Sequence, residues 1–373
     1  MLLLGPIIVL ISLSFGRCFS LVVFPSFGQE RHQHQLFMVT ESAYLERPTI
    51  QSAQIKRDEP IQMVPLSCPP LLLLQSSAPV ISKEECDSLI EYFDYLTSPT
   101  EHDYPHNNID NLDATQIEHA KSLLDDVHNI VDTVTNCPKH DGETKLPRYV
   151  RYYPTVIDED ILSDPKSFSQ VLLPDGVHVD TNNGKLFRHI TAILYLTDSS
   201  SSDIFNFGGG TTFPLAMPWI GADDMNDNSS LLSSAKALLE RNIQHTKADI
   251  DQSTNSDGRR LELACVNTFN RDREVDTFGY EHNTVGVRVV PQAGRLIMFH
   301  NVDDAGMPDP ASFHGGEELI RIRTDQQSTQ NVEMTKNILV FFKEIPLNSF
   351  TDQESFAECA AKARQWTTKT YFQ

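Results

Sequence analysis

Val289-Val290-Pro291-Gln292-Ala293-Gly294-Arg295-Leu296-Ile297-Met298-Phe299-His300-Asn301 holds two apolar runs broken by a proline and a glycine. Short apolar runs bounded by turn residues read as strands. The spacing therefore predicts strands over Val285–Val290 and Arg295–His300, paired around Pro291 and Gly294. Working outward, the same texture predicts strands at Arg148–Tyr153, His189–Thr197, Leu319–Arg323 and Asn337–Ile345. Gly and Pro punctuate these runs as they do in an antiparallel barrel or jelly roll. Upstream, Ser82 and Glu85 make a capping box, and Cys86, Leu89, Ile90 and Phe93 follow at helical spacing. A second helical stripe runs Ile117, Ala120, Leu124, Val127, Val131, Val134 and stops at Pro138. A polar, Asp- and Asn-rich stretch between Pro218 and His282 reads as an insertion with one helix, Leu231–Ile243. A last helix begins at Thr351, boxed by Glu354, and runs to about Trp366. The expected fold is mainly β with flanking helices, N-terminal supporting helices and one helical or irregular insertion.

The N-terminus sets the organisation before residue 66. Leu2 to Phe15 is a 14-residue uncharged run, shorter than the roughly 20 residues of a membrane span. Arg17 and Cys18-Phe19-Ser20 follow, so residues 1–20 read as a signal peptide, with an uncleaved anchor as the alternative. The expected order is signal at 1–20, tether at 21–65, a domain at 66–350 with the insertion at 218–282, and a C-terminal helix at 351–373. Such a leader places the chain in the secretory pathway: the endoplasmic reticulum lumen or Golgi, with export or a plastid route as alternatives. Asn228-Ser229-Ser230 is an acceptor sequon that suits a surface loop there.

Charge and cysteine content narrow the function. The 373 residues carry 30 Lys and Arg against 51 Asp and Glu, a net charge of -21. That field repels phosphate backbones and anionic lipid heads, so nucleic-acid binding is not expected. Without the leader, Cys68, Cys86, Cys137, Cys265 and Cys359 remain, enough for one or two disulfides and a leftover thiol. No CxxC pair is present, which excludes a zinc ribbon or thioredoxin-like site.

His178-Val179-Asp180 is the sole His-x-Asp in the chain. On a strand, residues two apart share a face, so an imidazole and a carboxylate there can chelate one ion. Taken alone the triplet also suits a surface ion pair. Its context is Arg188-His189-Ile190-Thr191-Ala192-Ile193-Leu194-Tyr195-Leu196-Thr197, then Phe207-Gly208-Gly209-Gly210-Thr211-Thr212-Phe213-Pro214, the stretch quoted first, then Ser312-Phe313-His314-Gly315-Gly316, and Lys336 at the head of Ile338-Leu339-Val340-Phe341-Phe342. In that order the chain resembles the Fe(II)- and 2-oxoglutarate-dependent dioxygenases, in particular their prolyl 4-hydroxylase-like branch. The resemblance covers roughly residues 79–346.

The resemblance implies a double-stranded β-helix (jelly roll) core. It implies that His178, Asp180 and His314 form the catalytic, metal-ligating triad for Fe(II), with 2-oxoglutarate as co-substrate, O2, and ascorbate as reductant. Two imidazoles and one carboxylate on one face leave three metal positions open. It further implies that Lys336 holds the distal carboxylate of 2-oxoglutarate. Lys336 lies 22 residues after His314, further than is usual in the family, because 324–334 read as an enlarged hairpin. Arg321 and Arg323 are its rivals. Tyr152 matches a cofactor-holding tyrosine or is a barrel-wall aromatic. Thr211 touches the cofactor or stabilises the turn. His189 is expected to face outward, and His300 is a candidate behind the metal ligands. His32, His34, His102, His106, His119, His128, His140, His245 and His282 lack ligand spacing, and Asp303 and Asp304 read as turn residues. The implied reaction is hydroxylation of a peptidyl residue, proline foremost, with release of succinate and CO2. The alternatives are a lysyl or small-molecule hydroxylase, or a catalytically silent binding or scaffold relative. A zinc hydrolase reading lacks an HExxH motif. The expected partner is a peptide or protein substrate, with no membrane span once the leader is removed; the oligomeric state stays open.

Overall fold

The computed structural model describes residues 60–97, 112–140, 146–181, 188–198, 206–219, 229–244, 256–273, 285–323 and 335–372. All belong to the unit 35–373, one of two into which the chain divides. The expected signal peptide, most of the tether, the Asn228 sequon and the 324–334 hairpin lie outside the described residues.

Among the described residues fourteen strands follow one another: β1 (Met63–Pro65), β2 (Ser67–Cys68), β3 (Leu73–Ser76), β4 (Arg148–Tyr152), β5 (Thr155–Ile157), β6 (Arg188–Tyr195), β7 (Asn206–Gly208), β8 (Thr211–Phe213), β9 (Met217–Pro218), β10 (Val287–Val289), β11 (Leu296–His300), β12 (Gly315–Gly316), β13 (Leu319–Ile322) and β14 (Lys336–Glu344). The large sheet has the order β1-β3-β11-β6-β14-β4, and its pairs are antiparallel. Two three-stranded sheets, β10-β8-β12 and β5-β13-β7, and the pair β2-β9 complete the set. Among the described residues the single parallel pairing is β13 with β5.

The central strands are apolar on both faces because each face meets a different partner. Ile190, Ala192, Leu194, Leu296, Met298, Leu339 and Phe341 pack against two helices, α1 (Lys83–Thr97) and α2 (Ala114–Thr135). The alternate residues Ile193, Tyr195, Ile297, Phe299, Ile338 and Val340 pack against Phe213, Val287 and Val289 of the small sheet. Period-two alternation thus separates a helix-facing layer from an inner layer between sheets. Each such Leu, Ile or Phe contributes roughly 1.5–3 kcal/mol of burial.

Local signals set the helix limits. The Ser82 amide donates to Glu85 at 2.6 Å and the Glu85 amide to the Ser82 hydroxyl at 3.2 Å, which is the expected box. α2 is boxed by Asp113 and Gln116, and it ends where Asn136 turns left-handed (φ 51°), two residues before Pro138. The last helix, α6 (Gln353–Tyr371), starts later and runs further than the sequence suggested. Asp352 caps it with Ser355, not Thr351 with Glu354, because the Asp352 carboxylate reaches the Ser355 amide at 2.9 Å.

Four further expectations change. More described residues lie in helices than in strands, so the architecture is mixed rather than mainly β. Among its described residues the insertion carries two helices, α4 (Ser229–Gln244) and α5 (Ser256–Asp272), and a short α3 (Pro165–Leu172) precedes it. The buried stripe of α5 is Leu261, Ala264, Cys265, Thr268 and Phe269, too mixed in size and polarity to announce a period. The end of the stretch expected as tether forms the edge strand β1. Finally, β10 and β11 are not a pair. Gly294, at φ +78°, lets the chain cross from the small sheet to the large one; a Cβ there would lie 2.1 Å from the Ile81 carbonyl oxygen.

Candidate metal centre

His178 and His314 come from segments far apart in sequence, and backbone pairing joins them directly. The His178 amide donates to the His314 carbonyl at 2.9 Å, and the His314 amide to the His178 carbonyl at 3.0 Å. Their rings lie 4.5 Å apart. Asp180, two residues on, presents Oδ1 3.7 Å from His178 Nε2 and Oδ2 3.7 Å from His314 Nε2. One ligand atom from each residue lies within 4.8 Å of the others, so the three can hold one metal ion. Among the described residues this is the one such cluster of His, Cys, Asp and Glu.

The surroundings hold these side chains in place. His314 Nδ1 lies 3.0 Å from the Ser312 carbonyl, which accepts only, so Nδ1 carries the proton and the Nε2 lone pair faces Asp180. Phe213 stacks on the His314 ring at 5.4 Å and Phe299 meets it edge-on at 4.8 Å. Burial lowers the His314 pKa to about 4, which keeps the imidazole neutral and able to ligate. Burial alone would raise the Asp180 pKa. The His314 and His178 imidazoles and the Thr191 hydroxyl outweigh it and hold the carboxyl below its ordinary value. His178 is 35% exposed while His314 is 6% exposed, so the centre opens on the His178 side.

The insertion supports this centre. Val179, between two of the ligands, and Phe313, beside the third, pack with Leu215, Ala235 and Leu238 and with Leu261 of α5. The ligating residues therefore point one way and their apolar neighbours anchor in the helices α4 and α5 of the insertion.

Lys336 heads β14 on the inner face, in step with Ile338 and Val340. Its side chain is buried, and Nζ donates to the Glu317 carbonyl at 3.1 Å and sits 4.4 Å from the centre of the Tyr152 ring. Lys336 and Tyr152 are partners across β14 and β4. Burial pushes the amine down to about 8, despite the fields of Glu317 and Glu318. It makes no ion pair among the described residues. The rivals are placed differently: Arg323 is exposed and pairs with Asp158 at 2.9 Å, and Arg321 is half-buried on β13. Arg288, unremarked in the sequence, is half-buried with its side chain 7% exposed, but Glu317 neutralises it through two 2.7 Å bonds. Gly210 and Thr212 also donate to Glu317, which completes that pair.

Thr211 is buried, and its hydroxyl lies 2.8 Å from that of Tyr195. It pairs with Gly316, two residues after His314, and a Cβ on Gly316 would lie 3.6 Å from the Tyr152 hydroxyl. The strand leaving the metal centre therefore passes Thr211 and Tyr152 on its way to Lys336.

His189 is buried rather than outward, with Nε2 3.2 Å from Cys137 Sγ, and burial lowers its pKa to about 4. His300 is turned away from the ligands, with Nε2 3.0 Å from the Thr367 hydroxyl of α6. Its neighbour Asn301 is the residue that reaches the site, through Thr191. Neither was singled out, although a threonine inside one buried apolar strand and an asparagine at the end of another were the available signal. His128 is buried against Phe341. Asp303 accepts from the Ala305 and Met307 amides, as a turn residue does, whereas Asp304 binds Arg364. The five described cysteines are free thiols. No helix among the described residues is long and apolar enough to cross a membrane. No family model matches the chain, and no curated protein matches it.

Proposed function

We propose that this chain is an Fe(II)- and 2-oxoglutarate-dependent dioxygenase that hydroxylates a peptidyl residue, proline foremost, in the secretory pathway. The observation that carries the reading is the convergence of His178, Asp180 and His314 on one point. Two imidazoles and a carboxylate suit a divalent first-row metal and leave room for exchangeable ligands. The two packed sheets around the inner apolar layer support a double-stranded β-helix core. Iron and 2-oxoglutarate, when bound, supply oxidative decarboxylation to succinate and CO2 and insertion of an oxygen atom into a C–H bond, with ascorbate as reductant.

The residues of the chain do the rest. Lys336 is a buried cation suited to the distal carboxylate of the dianion, which would be costly to bury alone. Tyr152 and Thr211 offer hydroxyls along the same wall. Phe213, Phe299, Val287 and Val289 exclude water from the inner layer. The partly exposed His178 side of the centre is where a peptide substrate would approach.

The test is succinate release by the full chain, assayed with proline-rich peptides, lysine peptides and no peptide. Turnover stimulated by the proline-rich set is expected, and His178→Ala and Asp180→Ala should abolish it while circular dichroism stays native. Turnover that survives in those variants, or none in the parent under any condition, overturns the reading. Stimulation by lysine peptides alone moves the substrate to lysine.

A further inference from the structure

Thr191, inside β6, and Asn301, just past the end of β11, are both fully buried among apolar neighbours. A valine would fill the volume of Thr191, so packing does not explain its hydroxyl. That hydroxyl lies 2.6 Å from Asp180 Oδ2, and Asn301 Nδ2 lies 2.8 Å from the same Thr191 oxygen.

The direction of both bonds follows from chemistry. An ionised carboxylate only accepts, so Thr191 donates its proton to Asp180. The Thr191 oxygen is then an acceptor, and the Asn301 amide nitrogen, which only donates, fills that place. The relay runs one way, from Asn301 to Thr191 to Asp180. Its far end is fixed by the backbone: the Asn301 amide donates to the His189 carbonyl at 2.8 Å, and the Asn301 carbonyl accepts from Asp309 at 2.9 Å. The next residue, Val302, is held through its carbonyl by Arg364 at 2.8 Å.

We propose that Thr191 and Asn301 are positioning residues for the metal centre: they tie down Asp180 Oδ2, so that the carboxylate meets a divalent cation through its other oxygen and keeps a coordination position free. The inference rests on the metal-binding reading of the triad and goes beyond it by assigning a role to two residues that do not themselves ligate the metal. Without the Thr191 hydroxyl the carboxylate can swing to present both oxygens, and it loses the bond that orients it. Partners of this kind typically change metal affinity by about 10–100-fold.

The experiment uses the metal-free full chain titrated with Co(II), followed by calorimetry and by the visible absorption of the bound ion. Thr191→Val should weaken Co(II) binding about 10–100-fold and change the visible bands, because the carboxylate coordinates differently. Thr191→Ser, which keeps the hydroxyl, should restore both. Asn301→Leu should weaken binding in the parent but add no further loss in the Thr191→Val background, since both act through one bond. Thermal unfolding of the metal-free variants separates a structural role. Lowered stability with parental Co(II) affinity and bands overturns the relay, as does an additive effect of the two substitutions. Failure of the parent itself to bind Co(II) is a different result and overturns the metal-binding reading.

Discussion

Replacing Lys336 by methionine should make the protein more stable and its cofactor binding weaker. The amine is buried on the inner face, and burial brings its pKa from 10.5 to about 8. At 1.36 kcal/mol per unit, the folded chain loses about 3 kcal/mol by keeping that amine protonated at neutral pH. The sign follows from proton counting. Between pH 8 and 10.5 the unfolded chain holds the proton and the folded chain does not, so stability rises with pH across that window; below it the full penalty applies. Methionine fills a similar volume without the charge. It forfeits the bond to the Glu317 carbonyl, worth about 1 kcal/mol, so the ligand-free variant should gain about 1–3 kcal/mol in urea unfolding. A 2-oxoglutarate dianion reverses the balance, because its carboxylate repays the buried cation. Truncating one partner of such a pair costs about 2–5 kcal/mol, or roughly 30- to several-thousand-fold in affinity. Anaerobic calorimetry with Mn(II) and 2-oxoglutarate measures it. Parental affinity should fall as pH rises through about 8, and Lys336→Met should be weak and flat across the same range. Parental affinity in the variant would refute the assignment and move the role to Arg321. A destabilised ligand-free variant would show that the amine is a structural donor.

Two further substitutions test how the centre is held. Arg364 of α6 donates to the Val302 carbonyl at 2.8 Å, the Pro70 carbonyl at 2.7 Å and Asp304 at 2.9 Å, and so clamps the loop that leads to His314. Arg364→Ala leaves the buried Val302 carbonyl and the part-buried bond to the Pro70 carbonyl without a charged donor and should cost about 2–4 kcal/mol in denaturant unfolding; a loss under about 1 kcal/mol would mean that water replaces the guanidinium. Phe313 packs on the insertion beside His314, and Phe313→Ala should cost about 3–5 kcal/mol and lower Co(II) affinity as well. Unchanged affinity in a variant destabilised by that amount would show that the insertion stabilises the fold without positioning the ligand.

How much was legible in advance differs between elements. The strand limits near His189–Thr197 and Asn337–Ile345 and the stripe of α2 were readable because alternation and helical spacing are local signals. Thr191 stood in plain view inside one of those strands, but nothing local shows that its hydroxyl meets a carboxylate 11 residues away. The helix α5 was missed because its buried side chains contrast with solvent-facing ones only once Phe168 and Ile320 are packed against them.

The sequence by itself determined which residues could ligate a metal, because His178-Val179-Asp180 and His314 carry their donor atoms wherever the chain goes. It determined the helical stripes and the strand alternation for the same reason: periodicity is a property of the local backbone. Tertiary structure alone decided that Lys336 is the buried cation while Arg323 is exposed and paired. Alternation assigns a side chain to a face, but the elements covering each face decide which one is dry. It also decided that His189 is buried, that the insertion grips the segments carrying His178, Asp180 and His314, and that Asn301 reaches Asp180 through Thr191. Each of these depends on contacts between segments remote in the chain, which only the folded backbone brings within hydrogen-bond range.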